Sequence, residues 1–346
     1  MIFSETLIHW YSNNKRSLPW RNTKDAYYIW LSEIILQQTQ VKQGLPYYEV
    51  FIANYPTVFD LANSQESEVL KLWQGLGYYS RARNLHTTAK HIANNLNGKF
   101  PDNYKDLLKL KGVGDYTASA IASISFGEAT AVVDGNVYRV LSRYFGIDTA
   151  INSSKGIKDF KLLAQKLIDK KRPATFNQAI MEFGATHCKP KKPYCPICPF
   201  KDSCIAFNSN RVFELPVKIK SAKAKKKYFN FLVFISDDKK TILQKRESKG
   251  IWQNLYQFPL IETEKNTDLK SFRKLAEDHE LLINKPVELT LYNETLIVHK
   301  LSHQHLYTKF WIVNIDKLPE KGIPIKEIRD YAVPILIGNF IESFNF

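Results

Sequence analysis

The chain has 346 residues, too many for one ordinary domain, and 44% of them are hydrophobic, which excludes a disordered chain. Forty-nine Lys and Arg stand against 34 Asp and Glu, a formal charge of +15 that favours a polyanionic partner. No apolar run reaches the roughly 18 residues a membrane span needs, so no membrane partner is expected.

The start, Met1 to Trp10, has no basic lead and carries an early acid, so it reads as an amphipathic helix rather than a signal peptide. With no export signal and four clustered cysteines, a cytoplasmic protein with reduced thiols is expected, associated with the nucleoid if the source is bacterial. Helical spacing or composition then runs over Asp25–Thr39, Val41–Asn54, Glu66–Trp73, Ala82–Asn94 and Asn103–Leu110. It resumes over Asp115–Ser125, Asn136–Tyr144, Lys158–Asp169 and Thr175–Gly184, with Pro and Gly punctuating the junctions. Between Lys218 and Lys227 six of ten residues are lysine and none is acidic, which predicts a solvated linker. Strand signals follow at Tyr228–Ser236, Thr241–Lys245, Leu255–Ile261, Val287–Tyr292 and Lys309–Ile315, with one helix near Leu269–Leu282. The organisation is a mainly α domain over 1–207, a basic linker over 208–227 and an α+β domain over 228–346.

The only four cysteines, Cys188, Cys195, Cys198 and Cys204, are spaced Cys-x6-Cys-x2-Cys-x5-Cys among prolines. Such a loop folds four thiolates around one centre, and coordination chemistry alone leaves zinc and an iron–sulfur cluster close. A reducing compartment disfavours the alternative of two disulfides. Lys189, Lys191, Lys192 and Lys201 give the loop a face suited to phosphate.

Two carboxylates stand in contrasting settings. Glu33 lies in Ile-Trp-Leu-Ser-Glu-Ile-Ile-Leu (29–36), apolar at six of eight positions. Such a helix is buried, so Glu33 should be desolvated, and its raised pKa makes it a proton donor. Asp134 opens a helix in Val-Asp-Gly-Asn (133–136), where backbone N–H groups favour the ionised form. One acid held neutral and one held charged suit a reaction through an oxocarbenium-like centre. The segment Leu-Lys-Gly-Val-Gly-Asp-Tyr (110–116) between two helices turns at Gly112 and Gly114, exposing amides that can hold a phosphate.

The hairpin, the Val-Asp-Gly-Asn stretch and the cysteine loop occur in the order and spacing of the helix-hairpin-helix DNA glycosylase superfamily that includes endonuclease III. Leu18–Arg21, Trp30–Val41, Gly75–Leu85 and Phe176–Ala179 resemble its MutY-type adenine DNA glycosylases, closely over about residues 1 to 215. The resemblance implies double-stranded DNA holding 8-oxoguanine:A or G:A mispairs as partner, base flipping, a monomer, and one [4Fe-4S] cluster on the four cysteines (188–204). It implies that Glu33 protonates adenine and then activates water, that Asp134 stabilises the sugar cation, and that Asn136 and Tyr116 lie beside this chemistry. Trp20, Arg21, Leu36 and Gln178 match the adenine pocket. Gln38 and Tyr78 match residues inserted into the duplex, and Thr39 and Leu76 match contacts near the oxidised guanine. Arg81 and Arg83 are expected on phosphate. Superfamily members that cut the strand place a lysine where this chain has Tyr116, so an intact abasic site is the expected product. The nearest alternative reading is a glycosylase of the same scaffold acting on oxidised pyrimidines or G:T mispairs; a noncatalytic lesion-binding protein is the alternative from another class.

Residues 228–346 resemble the Nudix-like C-terminal domain of the same family. The helix from Ser271 lacks the Glu-rich box of a nucleotide hydrolase, so hydrolysis is not expected. Ser302 and His303 match a lesion-reading loop in which Leu301 replaces the family's aromatic. His299, His303 and His305 share one parity, read here as polar residues of one strand rather than a metal cluster.

Overall fold

A computed structural model describes residues 2–220, 223–283 and 288–346. Met1, Ser221 and Ala222 of the predicted linker, and Val287 at the head of a predicted strand, lie outside the described residues. The helices before the linker are α1 (Ile2–Asn14), α2 (Ala26–Leu36), α3 (Val41–Asn54), α4 (Val58–Asn63), α5 (Glu66–Leu72), α6 (Ser80–Asn95), α7 (Tyr104–Leu107), α8 (Asp115–Phe126), α9 (Gly135–Phe145), α10 (Ser154–Leu167), α11 (Pro173–Thr186) and α12 (Ile205–Asn208). Two units emerge, Met1–Asn63 with Asn84–Ser221, and Ser64–Arg83 with Ala222–Phe346.

The first unit is all helical, and its helix ends follow local chemistry. Asp25 caps α2 by accepting from the Tyr27 amide, and Ser153 caps α10 by accepting from Gly156. Gly127 and Gly146, both left-handed, stop α8 and α9 where a side chain would be strained. Asn177, wholly buried in α11, donates to Ser123 Oγ and the Thr130 carbonyl and accepts from the Val132 amide. One side chain therefore ties α11 to α8 and to the strand-like approach to Asp134, the contact that positions the site.

The second unit contains a sheet whose strands, with the short ladders beside it, are β1 (Lys225–Ser236), β2 (Lys240–Thr241), β3 (Gln244–Lys245), β4 (Tyr256–Gln257), β5 (Leu260–Thr263), β6 (Glu288–Leu291), β7 (Ile297–Lys300), β8 (Gln304–Ile315) and β9 (Ile323–Pro324). The main sheet runs β5-β1-β8-β6, with β7 also on β8; β1 and β8 pair in parallel and their neighbours are antiparallel. Alternation along β8 serves two helices. Trp311 stacks on Phe272 of α13 (Leu269–Glu277) at 4.3 Å, and Phe310 stacks on Phe340 of α14 (Ile335–Ser343) at 4.1 Å.

Several expectations need correction. Lys225, Lys226 and Lys227 belong to β1 and pair with Gln304, His305 and Leu306, so the linker is shorter than the lysine run suggests. Residues 64–83 group with the second unit rather than with a continuous 1–207 domain. Two of the bonds responsible join side chain to backbone and one joins two side chains. Arg83 donates to the Gln253 carbonyl at 2.8 Å, Tyr79 donates to the Val333 carbonyl, and Asn254 donates to Glu66. His299 lies on β7, His305 on β8 and His303 in the turn between, so they do not share one strand.

Candidate active site

Glu33 sits in α2, where every residue from Ile29 to Ile35 is buried; Glu33 itself is 7% exposed. Burial pushes its carboxyl up to about 7, a hydrogen bond from the Tyr116 hydroxyl opposes this, and the Asp134 charge adds to the rise. At neutral pH the group is poised to give or take a proton. Tyr116, at the start of α8, is half-buried beside both carboxylates, and the loss of solvent around its hydroxyl together with their charges drives its own pKa well above the ordinary value. It therefore acts here as a neutral hydroxyl. That hydroxyl also lies 3.0 Å from Met181 Sδ of α11.

Asp134 caps α9. Its carboxylate accepts from the Asn136 amide at 2.9 Å, the Val137 amide at 2.8 Å and Asn136 Nδ2 at 2.8 Å. The cap is as expected, but the direction of its pKa is not. Burial outweighs the three donors and Arg139, so the Asp134 carboxyl is raised rather than lowered. The contrast between the two acids survives in their donors. Three bonds stabilise the Asp134 anion, whereas among the described residues Tyr116 is the donor to Glu33, so a proton shared between the two acids favours Glu33.

Asn136 is held in turn by Arg139, which donates to Asn136 Oδ1 at 2.8 Å, to the Gly184 carbonyl at 2.6 Å and to the Cys188 carbonyl at 2.8 Å. Gly184 matters here, because a Cβ there would stand 2.7 Å from the Asn136 Cβ and 2.9 Å from its carbonyl. Only a glycine lets α11 approach the start of α9 this closely.

Of the residues matched to an adenine pocket, Arg21 and Gln178 meet around Tyr11. Trp20 is buried edge-on against Tyr48, at 5.1 Å. Gln178 Oε1 accepts from the Tyr11 hydroxyl at 2.9 Å. Arg21 lies over the Tyr11 ring and pairs with Glu182 at 2.6 Å. Glu182 also takes two side-chain bonds from Arg16, both 2.7 Å. Burial alone would raise the Glu182 carboxyl, but the two arginines hold it at about 2. Leu36, at the end of α2, is half-buried. Tyr11, Glu182, Met181 and Gly184 went unmarked in the sequence. The period of α11 places 178, 181 and 182 on neighbouring positions of one side, which was the available signal.

Gln38 and Tyr78, each taken as an inserted residue, are both exposed and both left-handed, at φ 54° and 47°. A non-glycine residue in that conformation costs on the order of 1–2 kcal/mol, and such strain concentrates at functional positions. Thr39 is half-buried beside Gln38, and Leu76 is buried in the turn before Tyr78. Arg81 departs from expectation. It is 8% exposed, stacks over Trp73 and Tyr78, and donates to the Leu76 and Gly77 carbonyls, so it holds the turn instead of presenting a charge to phosphate. Arg83 is half-buried and likewise committed to a carbonyl. In the hairpin Gly112 is left-handed at φ +80° and a Cβ there would meet Asn84 at 2.8 Å, while Gly114 leads into α8 in open space. Ser302 and His303 occupy the exposed turn between β7 and β8.

The four cysteines are free thiols lining one cavity, with Val140, Phe183, Phe200 and Val212 among its apolar walls. Burial raises Cys195 and Cys204, and lifts Cys198 to about 12. Arg143 Nη1 stands 3.4 Å from Cys188 Sγ. Among the described residues no three His, Cys, Asp or Glu side chains are drawn into a ligand set as they stand. The cavity nevertheless gathers all four cysteines in one lining. It offers four soft donors with the cations Arg143 and Lys201 in the same lining, which suits a thiolate-bound metal centre.

Comparison with known proteins decides the family. An adenine DNA glycosylase from Buchnera aphidicola of Schizaphis graminum is 33% identical over 352 residues, spanning 99% of each chain. The chain belongs to the adenine DNA glycosylase family. It is a DNA glycosylase of base excision repair. The adenine DNA glycosylase of Homo sapiens is 46% identical over 213 residues, covering 59% of this chain and 39% of that one. The profile "HhH-GPD superfamily base excision DNA repair protein" matches residues 31–166, and "NUDIX domain" matches 230–343. Among solved structures, a thermostable thymine-DNA glycosylase aligns with TM-score 0.56 at 32% identity over 60% of this chain and 96% of its own. An endonuclease III–DNA covalent intermediate shares the fold at TM-score 0.52 over 60% of this chain and 94% of its own.

Proposed function

We propose that this adenine glycosylase acts, as a monomer, on adenine opposite 8-oxoguanine or guanine, and that it hydrolyses the glycosidic bond without cutting the strand. The observation that carries the mechanism is Glu33, buried and poised at about 7 beside a carboxylate that three donors hold as the anion. Protonated Glu33 gives its proton to a ring nitrogen of the flipped adenine, which then leaves as a neutral base. Asp134 stabilises the positive charge on the sugar. Glu33, now ionised, takes a proton from the attacking water. Tyr116 carries no amine, so no Schiff base forms at that position. The exposed, strained Gln38 and Tyr78 support roles as wedges, and the exposed turn at Ser302 and His303 supports lesion reading by the second unit.

The four cysteines would hold a [4Fe-4S] cluster, which when bound closes the loop into one rigid element. The exposed Lys191, Lys192 and Lys201 suit that element to phosphate. Iron-dependent visible colour in the purified protein supports the cluster; stoichiometric zinc in colourless protein overturns it.

The decisive experiment is single-turnover release of adenine from an 8-oxoguanine:A duplex by wild type and Glu33→Gln. Retained release in the variant sinks the role of Glu33. Efficient borohydride trapping of a protein–DNA adduct sinks the hydrolytic assignment.

A further inference from the structure

Tyr116 has one hydroxyl proton and two neighbours able to accept it. Glu33 is one, and the Met181 sulfur at 3.0 Å is the other. A thioether accepts weakly and never donates, so the hydroxyl must be the donor in that contact. Leucine would fill the same space without an acceptor, which makes the sulfur rather than the bulk of Met181 the informative feature. We propose that Met181 is a positioning residue whose sulfur takes up the Tyr116 proton whenever Glu33 carries the proton it will donate. When Glu33 is ionised, the Tyr116 O–H turns to its carboxylate. When Glu33 is protonated, its own O–H donates to the Tyr116 oxygen, and the Tyr116 O–H turns to Met181, so the hydroxyl is bonded in both states.

The inference rests on Glu33 being the proton donor. Other charges around Tyr116 are accounted for. Asp134 is committed to the start of α9, and Arg139 faces Asn136. On α8 itself Asp115 pairs with Lys161 and takes the Tyr104 hydroxyl bond from α7. Glu182 of α11 is neutralised by Arg16 and Arg21. None of these offers the Tyr116 proton a second acceptor.

Removing the sulfur costs the hydroxyl its acceptor while Glu33 is protonated and leaves only the weaker carbonyl oxygen of the acid, whereas the ionised carboxylate serves it fully. That state is destabilised, and Glu33 loses its proton at lower pH. Single-turnover adenine release by Met181→Leu, scaled to its own acid plateau, should show its alkaline limb shifted to lower pH by roughly 0.5 to 1 unit, the net worth of one neutral hydrogen bond. A second measurement needs no variant at Met181. Met1 and Met181 are the only methionines, so a methyl-13C methionine label gives two resonances. The Met181 resonance in the wild-type protein should titrate with the midpoint of the alkaline limb, and the titration should vanish in Tyr116→Phe. A Met181 methyl that does not titrate, a titration that survives in Tyr116→Phe, or an unmoved limb in Met181→Leu overturns the inference. Retained adenine release in Glu33→Gln would instead overturn the reading on which it rests.

Discussion

Glu33→Gln should abolish adenine release and at the same time make the protein more stable above neutral pH. The size follows from burial. Glu33 ionises at about 7 in the folded chain against an ordinary 4.5. That gap of roughly 2.5 units corresponds to about 3 kcal/mol at 1.36 kcal/mol per unit. The sign is fixed by where the proton sits. Below pH 4.5 both folded and unfolded chains hold it, and Glu33 contributes no pH dependence. Between 4.5 and 7 the unfolded chain releases the proton while the folded chain keeps it, so folding stability falls with rising pH. Above 7 the full penalty of burying the anion is present. Glutamine is neutral at every pH and has nearly the shape of the protonated acid. Urea unfolding of both proteins from pH 4 to 8.5 should give matching stabilities at the acid end and a variant more stable by roughly 2–3 kcal/mol at the alkaline end. A stability difference independent of pH, or a variant less stable at pH 8, would refute the argument that desolvation sets the Glu33 proton affinity.

Glu182→Gln should act in the opposite sense. Glu182 is held at about 2, so the stability it supplies is present above 4.5 and lost as pH falls toward 2. The variant should be destabilised by about 3 kcal/mol at pH 7 and by much less near pH 2.5, with adenine release impaired through Arg21. Gly184→Ala should cost roughly 1–3 kcal/mol in thermal or urea unfolding and slow adenine release, because Asn136 must move and takes the Asp134 cap with it. Equilibrium binding to an undamaged duplex should weaken linearly in a plot of log affinity against log salt, and replacing Lys191 and Lys192 by Ala should reduce that slope, whereas Arg81→Ala should not.

The helical half of the fold was legible because its signals are local. Val41–Asn54 was set by its pattern, and the ends of α8 and α9 by Gly127 and Gly146. Glu33 was legible as a desolvated acid for the same reason, since its apolar neighbours are in its own helix. What the chain did not disclose is long-range. Arg81 reads as a surface cation until the turn at 76–77 and the Trp73 ring close around it. Residues 64–83 read as one more helical segment until their hydrogen bonds reach residues 253 and 333. The lysines at 225–227 read as linker because charge dominates the local pattern, while pairing with β8 supplies a ladder that composition does not reveal. The direction of the Asp134 pKa failed similarly. Its three donors are within three residues, but the burial that outweighs them comes from the packed helices.

Helix α9 explains why the cysteine loop and the acid pair belong to one unit. Its first residues present amides to Asp134, and its second turn carries Arg139, which donates at once to Asn136 and to the Cys188 carbonyl. One turn further on, Arg143 donates to the Lys189 carbonyl at the start of the loop and to the Leu215 carbonyl in the segment that follows it. Both arginines are buried, and each satisfies carbonyls that would otherwise be orphaned. A loop that lost its closure would release the Cys188 and Lys189 carbonyls, leaving two buried guanidinium groups short of partners, each at a cost of roughly 1–3 kcal/mol. The helix that aims Asp134 would then be held at one end only. The order of the cysteine loop therefore bears on the setting of Asp134 through Arg139 and Asn136, which in the proposed mechanism leaves proton transfer to Glu33 and charge stabilisation to Asp134.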